Sequence, residues 1–467
     1  MKFSEMLSMS RFDSEYFRPL FIKLQKRLEI LPHTTLGAKS CFVAGPFGSE
    51  FHVENYEEQS GFRYIRGKDV KSFFVENGDN VYIPGNDYTR LSDHSVKTDD
   101  VLISVVGTLG NACIATSDDL PAIFSCKSTI IRKPEVNPYY LVSFLNSAPG
   151  KTLLLRNARG TVQLGLNLPD LRQLLIPLFS KNFQAVTEST IRKAQTCLCD
   201  SKSSFTQAEQ TLIRALGLEN WQPPEPLTYT RRASDAFTAG RLDAEHFHPK
   251  FDAMLTTVRN TGLDLIELGE VILPVKNGFD HRDFVEEGTS YIRVGDIGRN
   301  RINLDSAKKI AIKANEIVKN IGLNIGDVLF TRKGSFGNAA HVRQGEEHAI
   351  ISSEIMLIRR KNDWKERLLP EYLAMFFNSQ MGQQQAERWA HGAAFYSVSQ
   401  DDLEGFLLPI LPINQQEKIK SLVNSGESFR RQAHALLDAA KRAVEIAIEH
   451  NEQAALAYLA AFDRETC

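Results

Sequence analysis

The phrase VLISVVGTLGNACI at 101–114 returns as VLFTRKGSFGNAAH at 328–341, shifted by 227. The same shift relates YIRGKDV at 64–70 to YIRVGDI at 291–297. RFDSEYFRP at 11–19 becomes RLDAEHFHP at 241–249, shifted by 230. FLNS at 144–147 and DLRQLLIPL at 170–178 become FFNS at 376–379 and DLEGFLLPI at 402–410, both shifted by 232. Order is kept and the drift is small. The chain of 467 residues is a tandem duplication, and its period is far longer than that of any solenoid repeat. Any fold proposed for it must be one that a unit of about half the chain adopts twice.

Within each copy, short β-branched runs bounded by Gly, Pro, Asn and Asp predict strands. A short helical segment opens each copy, at 12–29 and 242–257, and PYYLVSFLNS and PEYLAMFFNS read as helices with proline near the start. After each copy the pattern changes. Ile191, Ala194, Leu198, Ser201, Phe205, Ala208, Leu212 and Ala215 are spaced alternately by three and four, a heptad seam that Gly217 ends. Ile419, Leu422, Gly426, Phe429, Ala433, Leu436, Ala440, Ala443 and Ala447 repeat the alternation. Ser201 and Gly426 weaken the seam and predict a close contact between small residues. The expected class is α+β: two tandemly duplicated mixed α/β domains separated by two long helices that form an antiparallel coiled coil, with pseudo-two-fold symmetry. The expected layout is domain 1 at 1–181, spacer helix 1 at 182–218, a linker at 219–240, domain 2 at 241–413, then spacer helix 2 and a C-terminal tail at 414–467. A helix over 182–218 would be ~55 Å long.

Composition narrows the function classes. Hydrophobic residues make up 42% and the net charge is −2, so a nucleic-acid surface would have to be local. No apolar run is long enough for a membrane span and the N-terminus lacks an apolar signal core. The six cysteines form no C-x-x-C pair and predict reduced thiols in a cytoplasmic protein. Catalytic fingerprints are absent: no P-loop, G-x-G-x-x-G, H-E-x-x-H or G-x-S-x-G, and no histidine cluster with metal-ligand spacing. NPYY at 137–140 approaches the N-P-P-Y of adenine methyltransferases, but its counterpart is LPEY and it sits at a helix start. No catalytic residue and no metal site are predicted.

Charge is concentrated locally. Segments 63–71, 151–172 and 331–343 each carry a net charge of +3. Glycine-broken loops with Arg, Gln, Ser and aromatics suit groove reading: Arg matches guanine, Gln or Asn matches adenine, and Lys takes phosphate. The candidate DNA-binding residues are Arg63, Arg66, Lys68, Arg156, Arg159, Gln163, Asn167, Arg293, Arg332, Lys333, Arg388, His391, Tyr396 and Ser399.

These phrases carry a resemblance. GPFGSEF at 45–51, the two YIR phrases, the two D-[VI]-L-[IF]-x-x-x-G-x-x-G-N phrases, YLVSFLNS and YLAMFFNS, and SVSQDDLEGFLLPILPINQQEKI running into a long helix together resemble the specificity (S) subunit of type I restriction-modification systems. The resemblance spans about 35–215 and 265–450. It implies a non-catalytic DNA-sequence-recognition subunit whose two target-recognition domains each read half of a bipartite site on double-stranded DNA. It further implies two methyltransferase subunits as partners, a motor-nuclease subunit that joins them in some complexes, and S-adenosylmethionine on the methyltransferase with no cofactor on this chain. Residues in 156–167 and 388–399 would read bases. The loops differ between copies, which predicts an asymmetric target. GPFGS has no clean echo; its counterpart is VKNGFDHRDF at 275–284. The competing expectation is a scaffold or inhibitor that binds methyltransferase subunits without reading DNA.

Overall fold

Proline sets where the first helix of each copy begins. In the computed structural model these helices are Pro19–Ile30 and Pro249–Arg259, later than the expected 12 and 242. Proline at the first helical position gives up an amide that would have no helical partner there. A single 3-10 turn precedes each, Glu15–Phe17 and Glu245–Phe247. The structure describes residues 14–46, 48, 50–160, 164–311, 321–392 and 396–466, so residues 12 and 13 lie outside it.

The chain divides into two units. The first comprises Met1–Leu198 with Arg430–Cys467, the second Cys199–Phe429. In the first unit a five-stranded sheet runs in the order Cys41–Ala44, Ser128–Arg132, Val101–Ser104, Ala112–Ile114, Phe73–Phe74. Its first three pairings are antiparallel and the last is parallel. In the second unit Lys276–Asn277, Ile355–Ile358, Val328–Thr331 and Ala339–His341 repeat the antiparallel part. Each unit adds a three-stranded sheet, centred on Arg63–Ile65 or Thr289–Ile292, and a two-stranded one, His33–Thr35 with Leu175–Pro177 or Leu265–Glu267 with Leu407–Pro409. Two helices pack on these, Pro138–Asn146 and Ala148–Arg156 in the first unit, Pro370–Asn378 and Gln380–Trp389 in the second.

The duplication is visible contact by contact. Asp100 pairs with Arg132 at 2.6 Å, and Asp327, its counterpart in the second copy, pairs with Arg359 at 2.7 Å. Asn146 donates to the Ala112 carbonyl at 2.7 Å and Asn378 to that of Ala339 at 2.7 Å, each tying a helix to a hairpin strand. The Tyr140 and Tyr372 hydroxyls donate to the carbonyls of Pro177 and Pro409. Asn137, of the NPYY phrase, is a helix N-cap that accepts from the Tyr139 and Tyr140 amides at 2.9 and 3.2 Å.

The long helices are Lys181–Ala215 and Ile413–Glu449, and both run from one unit into the other. Gly217 ends the first at φ +69°, where a side chain would be strained, and the Leu218 amide closes it on the Ile213 carbonyl at 3.0 Å. Within the first unit, Cys197 meets Gln432 at 3.5 Å and the Ser180 amide meets Glu452 at 3.1 Å, so the segments run antiparallel. Within the second, the Ser201 hydroxyl donates to the Gly426 carbonyl at 2.7 Å. A Cβ on Gly426 would stand 2.9 Å from the Phe205 ring. The two weak seam positions therefore meet one another, as the spacing predicts. In place of a C-terminal tail there is a further helix, Glu452–Thr466, capped by Asn451 and bound to the first unit through a Lys193–Asp463 pair at 2.6 Å. The linker is also not wholly extended, since Ala233–Ala239 is helical. Among the described residues no helix is long and apolar enough to cross a membrane.

One buried group departs from the repeat. His341 is 4% exposed, and the equivalent position of the first copy holds Ile114. Burial, reinforced by the charge of Arg343, pushes its pKa down from 6.5 to about 3. The folded chain therefore holds it neutral while the unfolded chain protonates it below 6.5, so stability falls as pH drops from 6.5 toward 3. At pH 5 the loss relative to pH 7 is expected to be about 2 kcal/mol, from 1.5 pH units at 1.36 kcal/mol each. His341→Ile should remove that part of the acid sensitivity, read as urea midpoints at the two pH values. An unchanged pH difference in the variant would refute the assignment.

Candidate nucleic-acid interface

The repeated glycine phrase is a β-hairpin turn. The hydroxyls of Ser104 and Thr331 stand at its base, each accepting from an asparagine amide across the turn, Asn111 at 3.1 Å and Asn338 at 2.9 Å. Gly110 and Gly337 close the turn at φ +76° and +81°, a conformation that glycine adopts without a Cβ penalty. The turn lies against two further segments. The Asn111 side chain donates to the Val70 carbonyl at 3.4 Å and that of Asn338 to Ile297 at 3.2 Å, so each turn is bound to the end of a YIR phrase. On the other side, Val106 bridges to Gly165 and Lys333 to Ser397. The latter residues close narrow loops at the bridges Arg159–Gly165 and His391–Ser397. Three segments thus converge in each unit at equivalent positions.

A carboxylate holds each loop at its neck. Arg159 donates to both Asp170 oxygens, at 2.6 and 2.9 Å. Asn167 caps the same short helix, accepting from the Asp170 amide at 2.9 Å. In the second unit His391 lies 3.0 Å from Asp402, and Ser399 caps that helix, accepting from the Asp402 amide at 3.1 Å. Asp170 and Asp402 were not singled out from the sequence. Their signal is the cap spacing, N-x-x-D and S-x-x-D. Tyr396 is 61% exposed beside this loop. Gln163 lies outside the described residues, as does Phe395.

The other candidates separate into surface and interior. Lys333 is exposed on the turn and Arg332 is half-buried beside it. Lys68 is exposed and pairs with Asp79 at 2.7 Å, and Arg66 chelates Asp69 at 3.0 and 3.1 Å. Arg293 holds the equivalent place, 3.5 Å from Asp296. These three ride on the segments bound to the turns. Three arginines lie off these segments, two of them buried and one half-buried. Arg63, 5% exposed, pairs with the buried Asp119 at 3.1 Å inside the first unit. Arg156, 6% exposed, donates to the Tyr16 carbonyl at 3.0 Å and stacks on the Tyr16 ring at 4.1 Å. Arg388 pairs with Asp252 at 3.2 Å, and burial, opposed by that carboxylate, lowers its pKa. Arg63 and Arg156 are corrections to the surface role expected of them, since both turn inward onto acceptors of their own unit, whereas Arg388 is half-buried against a partly exposed carboxylate.

No family model and no curated protein matches this sequence. Solved structures do. A type I restriction-modification S subunit from M. genitalium is 14% identical, with 92% of this chain and 96% of that chain covered at a TM-score of 0.41. An HsdS subunit from Thermoanaerobacter tengcongensis is 16% identical, over 91% and 95% of the two chains, at 0.27. A chain from a structure of type I R-M complex assembly and conformational transition is 15% identical over 92% and 98%, at 0.27. Each of these alignments spans nearly the whole of this chain.

Proposed function

We propose that this chain is a non-catalytic DNA-specificity subunit of a type I restriction-modification complex. Each unit would read one half of a bipartite, asymmetric site on double-stranded DNA. One observation carries the reading. The two units bring the same three segments together by the same contacts, yet carry different side chains at equivalent places. Val105 and Val106 correspond to Arg332 and Lys333, Leu109 to Phe336, and Arg159 to His391. Like scaffolds with unlike chemistry are what two unlike half-sites require, because base identity is read by side-chain edges and position by backbone contacts. Arg66, Lys68, Arg293, Arg332 and Lys333 supply phosphate contacts and the 159–167 and 391–399 loops supply base contacts. Two methyltransferase subunits, carrying S-adenosylmethionine, and in some assemblies a motor-nuclease would be positioned by this chain.

The test is selection from a random duplex pool by the chain in complex with its methyltransferase. A two-part motif with a fixed gap is expected. A complex that forms without enrichment would mean a scaffold that reads nothing. In the same selection Arg159→Ala should relax one base position by about 1–3 kcal/mol if Arg159 makes a bidentate base contact. Uniform weakening across all sequences would make it a phosphate contact.

A further inference from the structure

A fourth segment joins the convergence in each unit. It is the turn Cys126–Lys127 in the first copy and Ser353–Glu354 in the second, again shifted by 227. The Ser128 amide closes one turn on the Ser125 carbonyl at 3.1 Å, and the Ile355 amide closes the other on that of Ser352 at 3.0 Å. Each is tied to the start of a glycine turn. The Lys127 carbonyl accepts from the Val105 amide at 2.9 Å, and the Glu354 carbonyl from the Arg332 amide at 3.0 Å. The YIR phrases hold the other side, since the Ile65 and Ile292 carbonyls accept from the Ser125 and Ser352 amides, both at 2.9 Å. Backbone contacts therefore fix both turns alike and leave the side chains of Lys127 and Glu354 exposed.

The charge at this place is reversed between the copies. Beside a turn with Val105 and Val106, the first unit has a cation, Lys127, whose side chain lies over Gly67. Beside a turn with Arg332 and Lys333, the second has an acid. Glu354 and Arg293 both lie close enough to Tyr291 to act on its hydroxyl electrostatically. Among the described residues Glu354 forms no ion pair with these cations. An unpaired carboxylate on a face that meets phosphates weakens binding unless it takes a hydrogen bond from a base. Ionised, it only accepts. In the major groove the bases that donate are cytosine, through N4, and adenine, through N6. Adenine sets its N7 acceptor beside N6, which repels a carboxylate but suits the two-sided amide of glutamine. Cytosine offers its donor without that neighbour.

We propose that Glu354 is a specificity-determining residue that reads cytosine, accepting from its N4 amino group in the half-site bound by the second unit. The inference rests on the DNA-reading function proposed above. Lys127 gives the first unit no acceptor at the equivalent place, so this contact belongs to one half-site alone.

The full chain, in complex with its methyltransferase, selects from a random duplex pool as the parent and as Glu354→Gln. Glutamine has the same shape and the residue is exposed, so urea midpoints of the two should agree. The parent is expected to enrich a C·G pair at one position of one half-site, about tenfold or more over the other pairs. Glu354→Gln should turn that position to A·T and leave the other half-site as it was. Lys127→Gln should leave the C·G pair in place. An unchanged motif in Glu354→Gln would overturn the assignment. So would tighter binding of every sequence with the same motif, because the carboxylate would then merely oppose phosphate. Both results leave DNA reading standing, since the parent motif remains. A parent that enriches no motif removes DNA reading and this assignment together.

Discussion

Arg63→Met is expected to destabilise the first unit by about 3–5 kcal/mol, the usual cost of stranding one partner of a buried ion pair. Arg63 and Asp119 have side chains only 6% and 4% exposed. The guanidinium also donates to the Glu76 carbonyl at 2.6 Å and to the Asn77 side chain. Methionine fills similar space but leaves those acceptors and a carboxylate without their cation. Asp119 would keep only the Thr116 amide and hydroxyl, both at 2.9 Å. The three tryptophans, Trp221, Trp364 and Trp389, all belong to the second unit, so their fluorescence does not follow this change. Hydrogen exchange of peptides from 63–132 does. Adding Asp119→Asn should restore part of the loss, because the amide still accepts from Thr116 and no buried charge remains. Unchanged protection together with weakened DNA binding would return Arg63 to the surface role its sequence suggested.

Gly278→Ala is expected to cost the second unit about 3 kcal/mol, the upper end of ordinary overpacking. A Cβ there would stand 1.9 Å from the Ile351 carbonyl oxygen and 2.5 Å from that of Ser352. Both obstacles are backbone, so no side-chain rotation relieves them. Gly298→Ala is the control, since nothing lies within 4 Å of its added Cβ. Here tryptophan fluorescence is the right probe, and urea midpoints of the two variants should differ widely. Similar midpoints would show that the strand yields more easily than its contacts suggest. Gly278 also supplies the missing echo of GPFGS. Gly45 would place its Cβ 2.4 Å from the Ser125 carbonyl, and Ser125 is the first-copy equivalent of Ser352. What the copies share at this point is an approach of two backbones too close for any side chain.

The duplication and the seam of both helices were legible because each depends on spacing. Ser201 and Gly426 could even be matched to a close contact before their partnership was visible. The direction of a charged side chain was not legible. Arg63 and Arg332 look alike in a charge count, yet one is in a strand buried along its length and the other is at a turn. Pairing with Asp119 involves 56 residues of separation, which no local pattern encodes. The C-terminal helix was missed for a different reason. Its start is capped by Asn451, one residue past the break after the second long helix, and the alanine-rich stretch that follows read as a tail. The loop anchors Asp170 and Asp402 were hidden in plain cap motifs, because their second partner is a residue 11 positions back.

The first unit takes its last core residues, Ala433 to Leu459, from the far end of the chain. They pack with Phe183, Ile191 and Ala194, so more than two hundred residues intervene between partners. The second unit is a single continuous stretch. During synthesis, the domain encoded first must therefore wait, its hydrophobic face uncovered, while the one encoded later is already complete. For a chain of this kind the vulnerable interval on the ribosome belongs to the N-terminal half, the reverse of the usual order in which domains finish as they emerge.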